Sequence, residues 1–299
     1  MFKSFPEIRE AARRNRGARV AVPMGQDEAS LEALKMAAEE GIATSVVFAP
    51  SGAVAETLAR LGSPLPPDIE FVNAGTEEEA ALEAVRSVRS GESTMLMKGM
   101  LKTSVFQKAI LDKESGLRTG KVLSHVAVVH APKQDRLIAI TDGGMVIRPN
   151  AEELAQIAEN AAWVMGKLGC AEPLVALLAA VEVENEKMPE TILFAQVARQ
   201  GIPGLQVQGP LAVDGAIDPE AAAIKHITGP VAGKANILVT PDIACGNIFA
   251  KAFMYMTDTE VGGLIAGAAA PVVMLSRSDL AGTKLNSLAL GVVAGGGNG

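Results

Sequence analysis

The sequence has 299 residues, of which 48% are hydrophobic and 3% aromatic, and it contains 30 glycines. This apolar composition excludes a disordered chain and a small disulfide scaffold, and the length indicates two domains. The formal net charge of −7 argues against nucleic acid as a partner, because binding a phosphate backbone takes an excess of basic residues.

Apolar runs alternate with segments of helical periodicity in the first half of the chain. Strands are predicted at 18–24, 43–49, 69–73 and 94–98, and helices at 28–40, 52–61, 77–89 and 103–112. The strands are continuous aliphatic runs without polar alternation, so we expect them to be buried on both faces. This pattern predicts a parallel, doubly wound α/β arrangement.

The alternation breaks at 125–130 and 136–141, where two predicted strands follow each other across a polar turn. Such a break indicates a hairpin or a strand that passes between domains, and we place a domain boundary near 122–125. Further strands are predicted at 174–180, 205–213, 237–240, 264–266 and 272–275, and helices at 151–168, 189–199, 219–227, 247–256 and 279–293. The second half is therefore also predicted to be α/β.

Motifs for nucleotide cofactors and metals are incomplete. The segments 229–235 and 116–122 are similar to a phosphate loop, but each spacer is one residue short and the magnesium-binding Ser or Thr is missing. A single glycine follows the first strand, so no dinucleotide fingerprint is present. His125 and His130 lie five residues apart on one strand and face opposite sides, so they cannot bind one metal ion together. We expect neither a cofactor nor a metal.

Three predicted strand-to-helix turns contain groups suited to binding anions. They contain Lys98, Gly99, Thr103, Ser104 and Lys108 in the first turn, Gly246 and Asn247 in the second, and Ser276 and Arg277 in the third. Helix N-termini present free N–H groups, and arginine can bind a phosphate at two points. Ordinary helix capping is the alternative for the second turn and, through Asp279, for the third. Together the turns predict a phosphorylated substrate in a cleft between the two domains.

The two cysteines, Cys170 and Cys245, have no paired spacing, and no apolar leader segment precedes them, which predicts a cytoplasmic protein. Cys245 lies at a predicted strand-to-helix turn, where a thiolate can be activated. No neighbouring base is recognisable, so we favour a small packed residue. The longest apolar stretch, 262–275, is shorter than the ~20 residues of a membrane span, so no membrane partner is expected.

Six sequence blocks cover nearly the whole chain in order: 96–99, 116–125, 150–154, 231–238, 241–251 and 276–287. In these blocks the chain resembles the phosphate acetyl/butyryl transferase family, and most closely its phosphate butyryltransferase branch. The resemblance implies an isocitrate/isopropylmalate dehydrogenase-like fold with two doubly wound α/β domains and an active-site cleft between them. Residues 1–122 and 263–299 are expected to form the first domain, and residues 123–262 the second.

The resemblance also implies an activity. Family members transfer a short acyl group, here butyryl or similar, reversibly between coenzyme A and inorganic phosphate in a ternary complex. Acetyl transfer, a catalytically silent coenzyme A-binding protein and an NAD-linked decarboxylating dehydrogenase are the alternatives. The last is disfavoured because no Asp-x-x-x-Asp pair that would bind a divalent metal follows a strand. Acyl-CoA is a substrate, so no cofactor is expected, and the family implies a homodimer or a higher homo-oligomer.

The resemblance assigns roles to individual residues. Arg277 would hold the phosphate and stabilise the oxyanion, and Ser276 would position the sulfur or the acyl group. The expected substrate-binding residues are Lys98, Thr103, Ser104, Lys108, Asn247 and Lys284. The acetyl branch has a general-base Asp where this chain has Thr283, and an Arg where it has Lys108. The proton acceptor is therefore open between Asp279, phosphate and water.

Overall fold

The computed structural model describes residues 1–62, 66–131, 133–274 and 279–296. The chain forms two compact units. The middle unit contains Met1–Phe5 and Val122–Val261, and the flanking unit contains Pro6–Lys121 and Gly262–Gly299. The first residues are tied to the middle unit, where the Phe2 N–H donates to the Leu168 carbonyl at 2.9 Å. The sequence-based division placed residues 1–5 with the flanking residues instead.

The amino-terminal part of the flanking unit is an alternation of strands and helices. Its elements are α1 (Phe5–Arg14), β1 (Arg19–Pro23), α2 (Glu28–Glu39), β2 (Thr44–Ala49), α3 (Ser51–Leu61), β3 (Ile69–Asn73), α4 (Glu77–Ser90), β4 (Met95–Met97) and α5 (Thr103–Ile110). β1 pairs in parallel with β2 and β4, and β2 pairs in parallel with β3. The predicted doubly wound arrangement is confirmed. Helix α1 was not predicted, although Phe5, Ile8 and Ala12, which are buried, recur at helical spacing.

The middle unit begins with a hairpin. Its elements are β5 (Ser124–Ala131), β6 (Arg136–Thr141), α6 (Ala151–Lys167), β7 (Leu174–Leu178), α7 (Pro189–Gln200), β8 (Gln206–Leu211), α8 (Val213–Ile217), α9 (Pro219–Ile224), β9 (Ile237–Val239) and α10 (Ile243–Met256). β5 and β6 pair antiparallel, so the hairpin interpretation of the broken alternation is correct. The neighbouring pairs β6–β9, β9–β7 and β7–β8 are parallel. This unit is also α/β.

The carboxyl-terminal part of the flanking unit contains β10 (Val261–Ala266), β11 (Val272–Val273) and α11 (Ala281–Gly295). β11 pairs in parallel with β4 and antiparallel with β10. Helix α11 is buried along most of its length, and this burial includes the polar residues Lys284, Asn286 and Ser287. Asn286 accepts a hydrogen bond from Arg9 at 2.6 Å. The last helix therefore forms part of the interior of this unit.

Backbone hydrogen bonds join the segment that follows β4 to the carboxyl ends of β1 and β11. The Lys98 N–H donates to the Val273 carbonyl at 2.8 Å, and the Gly99 N–H donates to Pro23 at 3.2 Å. The Met100 N–H donates to the Met24 carbonyl at 2.7 Å. A Cβ atom at residue 99 would overlap the carbonyl oxygens of Pro23 and Met24, so only glycine fits. These bonds bring the carboxyl ends of β1, β4 and β11 together at one edge of the sheet.

We expect Gly99→Ala to lower the free energy of unfolding by about 1–3 kcal/mol, because the added methyl group forces two tightly bonded turns apart. Gly52→Ala is the matched control, since a Cβ at residue 52 of α3 meets no atom within 4 Å. Chemical denaturation of both variants tests the expectation. Equal stability of the two variants would contradict it.

Candidate active site

Asp142 organises the carboxyl end of β6 in the middle unit. Its buried carboxylate accepts N–H groups from His125 at 3.0 Å, Gly144 at 2.8 Å, Met145 at 3.1 Å and Val146 at 2.8 Å. Hydrogen bonds to a charged acceptor are stronger than neutral ones. The loop after β6 is therefore fixed by one side chain. The sequence analysis missed Asp142, although an acidic residue directly after a buried strand and before two glycines is a readable signal.

Asn247 lies in the first turns of α10 and contacts this loop. Its Nδ2 donates to the Gly143 carbonyl at 3.0 Å. Gly246 packs so closely on the Asp142 carbonyl that a Cβ would not fit. The amide oxygen of Asn247 makes no hydrogen bond to the described residues, and the residue is exposed. Asn247 is therefore both tied to the loop and open to a ligand.

The N-terminus of α10 is already occupied by a carboxylate. Asp242 is the N-cap residue and accepts the Cys245 N–H at 2.9 Å. An anionic ligand at this helix end would meet the Asp242 charge, so the capped-turn interpretation of this segment is supported over an anion site.

Cys245 differs from its predicted environment. The thiol is exposed, so the expectation of a packed residue is wrong. Partial burial and the adjacent Asp242 carboxylate nevertheless raise the pKa of the Cys245 thiol above its usual value. At neutral pH the group is therefore mostly protonated, which disfavours a nucleophilic role.

In the flanking unit, the start of α5 has no comparable cap. Its N-cap residue Lys102 makes no side-chain cap hydrogen bond, and the Lys102 N–H donates to Glu77 at 3.0 Å. Thr103 and Ser104 are exposed in the first turn. Lys98 is buried, and its Nζ donates to the Gly99 carbonyl at 3.2 Å. The N–H groups of the first turn receive no side-chain cap and can bind an anion, although the Glu77 carboxylate on the Lys102 N–H places one negative charge beside them.

Ser104 and Lys108 line a cavity of about 360 Å³ between α4 and α5. Its lining also includes the acidic residues Glu78 and Asp112, and the remaining wall is largely apolar. The backbone N–H and hydroxyl of Ser115 lower the pKa of the Asp112 carboxyl. Two carboxylates beside one lysine oppose a phosphate dianion. The structure therefore brings Ser104 and Lys108 together, but in mixed electrostatic surroundings.

Lys284 lies in the buried helix α11. Its side chain is 5% exposed, and its Nζ lies 3.8 Å from Oδ1 of Asp27. Asp27 is the N-cap residue of α2, where Oδ1 accepts the Ser30 N–H at 3.0 Å. The sequence analysis missed Asp27, although it directly follows a buried strand and its short turn.

The expected catalytic residues Ser276 and Arg277 lie outside the described residues, so their roles stay predictions. The preceding strand, β11, ends at Val273 beside Lys98. The N-cap residue of α11 is Leu280, so the capping role considered for Asp279 is wrong.

Within the described ranges, His, Cys, Asp and Glu form no group of three that could hold a metal ion. No helix in the same part of the chain has the length and apolar character that crossing a bilayer requires.

Known proteins are similar to this chain in sequence and in fold. A family model described as phosphate acetyl/butaryl transferase matches residues 54–292. A phosphate butyryltransferase of Clostridium acetobutylicum is 41% identical over 300 residues, covering 99% of each chain. A probable phosphate butyryltransferase of Bacillus subtilis is 43% identical over 92% of each chain. The crystal structure of a branched-chain phosphotransacylase from Enterococcus faecalis superposes with a TM-score of 0.82 at 33% identity, covering 93% of this chain and 99% of that one.

We expect Asp142→Asn to lower the free energy of unfolding by about 1–3 kcal/mol. The amide NH₂ would replace one carboxylate oxygen, so at least one backbone N–H would lose its acceptor and face another donor. Asp218→Asn at the N-cap of α9 is the control, since Asp218 also accepts two backbone N–H groups and Asn caps helices as well as Asp. Urea unfolding followed by circular dichroism compares them. An equal decrease in the free energy of unfolding of both variants would contradict the role of Asp142 in fixing the loop after β6.

Proposed function

Since this chain belongs to the phosphate acetyl/butyryl transferase family, we propose that it transfers a butyryl or similar short-chain acyl group between coenzyme A and inorganic phosphate. The chain is an acyl-CoA:phosphate acyltransferase, and the transfer is reversible. The observation that carries the proposal is the 41% identity to a phosphate butyryltransferase over 99% of both chains. The substrates are acyl-CoA and phosphate.

The reaction exchanges one bond to the acyl carbon for another. A phosphate oxygen attacks the thioester carbonyl, a C–O bond forms, and the C–S bond breaks with its electron pair on sulfur. In the opposite direction the thiol of coenzyme A attacks the acyl phosphate. We infer a direct transfer without an acyl-enzyme, which is supported by the raised pKa of the exposed Cys245 thiol. Holding the two substrates in line can supply as much as ~7–11 kcal/mol of the barrier.

We place the phosphate at the start of α5. Three features support this position: the uncapped N-terminus, the exposed hydroxyls of Thr103 and Ser104, and the buried ammonium of Lys98. Lys284 adds a second buried cation in the same unit. Lys108 contributes less to this site, because Glu78 and Asp112 share its cavity.

Asn247 would bind substrate through its unbonded amide oxygen, and Ser276 and Arg277 would act on the reacting acyl group. The domain division, the cleft between the domains, a homo-oligomeric assembly and a cytoplasmic location also stay proposals. The two free cysteines are compatible with a reducing compartment.

The activity is tested by following the thiol released from acyl-CoA in the presence of phosphate. We expect kcat/KM to be highest for butyryl-CoA among the acetyl, propionyl, butyryl and valeryl thioesters. A maximum with acetyl-CoA would establish acetyl transfer instead. No thiol release from any of the four, together with calorimetric binding of coenzyme A, would indicate a silent binding protein.

We expect Arg277→Ala to lower kcat by about 10²–10³-fold, because it removes a fixed cation from the developing oxyanion. Arg86→Ala is the control, since Arg86 is exposed on α4 and pairs with Glu83 on the same helix. Steady-state kinetics with butyryl-CoA measure both variants, and circular dichroism checks their folding. A well-folded Arg277→Ala protein with wild-type turnover would refute the assignment.

A further inference from the structure

Two buried acceptor atoms have no partner at the turn between β1 and α2. They are Oε1 of Gln26 and Oδ2 of Asp27, and neither receives a hydrogen bond from the described residues. A buried acceptor without a donor costs about 1–3 kcal/mol of stability. Because the cost falls on two adjacent residues in one turn, the turn is suited to receive hydrogen-bond donors from a ligand.

The Asp27 carboxylate is held in place by its other oxygen. Oδ1 accepts the Ser30 N–H at 3.0 Å and lies 3.8 Å from the Lys284 ammonium. The neighbouring Glu28 of α2 is paired with another residue, since it accepts a hydrogen bond from Arg60 of α3 at 2.9 Å. Asp27 is therefore fixed on one side by a helix N-terminus and a buried cation, and Oδ2 is left unbonded.

This turn lies at the edge of the sheet where the phosphate is proposed to bind. Pro23 and Met24, which begin the turn, accept the N–H groups of Gly99 and Met100. Met24 has a φ of +53°, a left-handed conformation that non-glycine residues rarely adopt. The chain thus bends sharply after β1 while it stays bonded to the segment that contains Lys98.

The reaction needs a proton acceptor. A free thiol has a pKa of about 8.5, so coenzyme A arrives mostly protonated at neutral pH. Thr283 offers a hydroxyl, which is a far weaker acceptor than a carboxylate.

We propose that Asp27 is the general base that takes the thiol proton when coenzyme A attacks the acyl phosphate. The proposal rests on the proposed function. As the S–H bond breaks, the proton passes to Oδ2 of Asp27, and the sulfur electron pair forms the C–S bond. The C–O bond to phosphate breaks with its electron pair on oxygen. The proton then passes from Asp27 to this phosphate, which leaves as hydrogen phosphate, and the carboxylate is restored. Gln26 Oε1 accepts a hydrogen bond from an N–H group of coenzyme A and so orients its thiol.

The test uses Asp27→Asn, which keeps the shape and the helix cap but cannot hold the proton. Initial rates of butyryl-CoA formation from butyryl phosphate and coenzyme A are measured at saturation from pH 6.5 to 9. We expect kcat of the variant to be about 100-fold below wild type at pH 6.5. The deficit should shrink to a few-fold near pH 8.5, because about half of the coenzyme A is then already present as thiolate and needs no base.

Asp218→Asn, a second N-cap substitution, should follow the wild-type pH profile. If Asp27→Asn does not fold, as judged by circular dichroism, Asp27→Ser keeps a capping oxygen and should show the same pH dependence. A deficit that is constant with pH indicates a structural role, and this result or the absence of a deficit would overturn the proposal. A wild-type protein without acyl transfer in either direction would instead overturn the proposed function.

Discussion

The position of β4 between β1 and β11 determines where the polar residues of the flanking unit lie. All three strands run in parallel, so the chain leaves each of them at the same edge of the sheet. The backbone N–H groups of Lys98, Gly99 and Met100 then donate hydrogen bonds that join the carboxyl ends of the three strands. A side chain at residue 99 would separate them. The buried lysines, the start of α5 and the Asp27 turn all depend on this close approach of backbone to backbone.

Two helix N-termini that look alike in sequence differ in what they can bind. Both α5 and α10 follow a buried strand of three residues. Asp242 fills the N-terminus of α10 with its own carboxylate, whereas Lys102 provides no cap for α5. An intramolecular carboxylate competes with a phosphate for the same N–H groups. The first-turn N–H groups therefore stay uncapped in α5 but not in α10, although Glu77 of α4 bonds the N–H of Lys102 beside the start of α5.

The alternation of aliphatic strands and amphipathic helices was sufficient to predict the α/β architecture in both units. Contacts between elements far apart in sequence were not predictable. The burial of Lys284 depends on α11 packing into the flanking unit, and the acidic wall around Lys108 comes partly from α4. Asp142 acts on His125, 17 residues earlier. Asp27 was missed because no local pattern shows that one of its oxygens is buried without a partner.

The late position of β11 and α11 in the chain has a consequence for synthesis. When Lys121 has been made, β4 has only one neighbour, β1, and its other edge exposes unpaired backbone groups until residue 272 follows. Exposed strand edges can pair with other chains. The residues of the middle unit emerge during this interval and can pack before the flanking unit is complete. The unpaired edge of β4 can therefore promote aggregation through much of translation. The flanking unit is complete only when β11 and α11 have been synthesised.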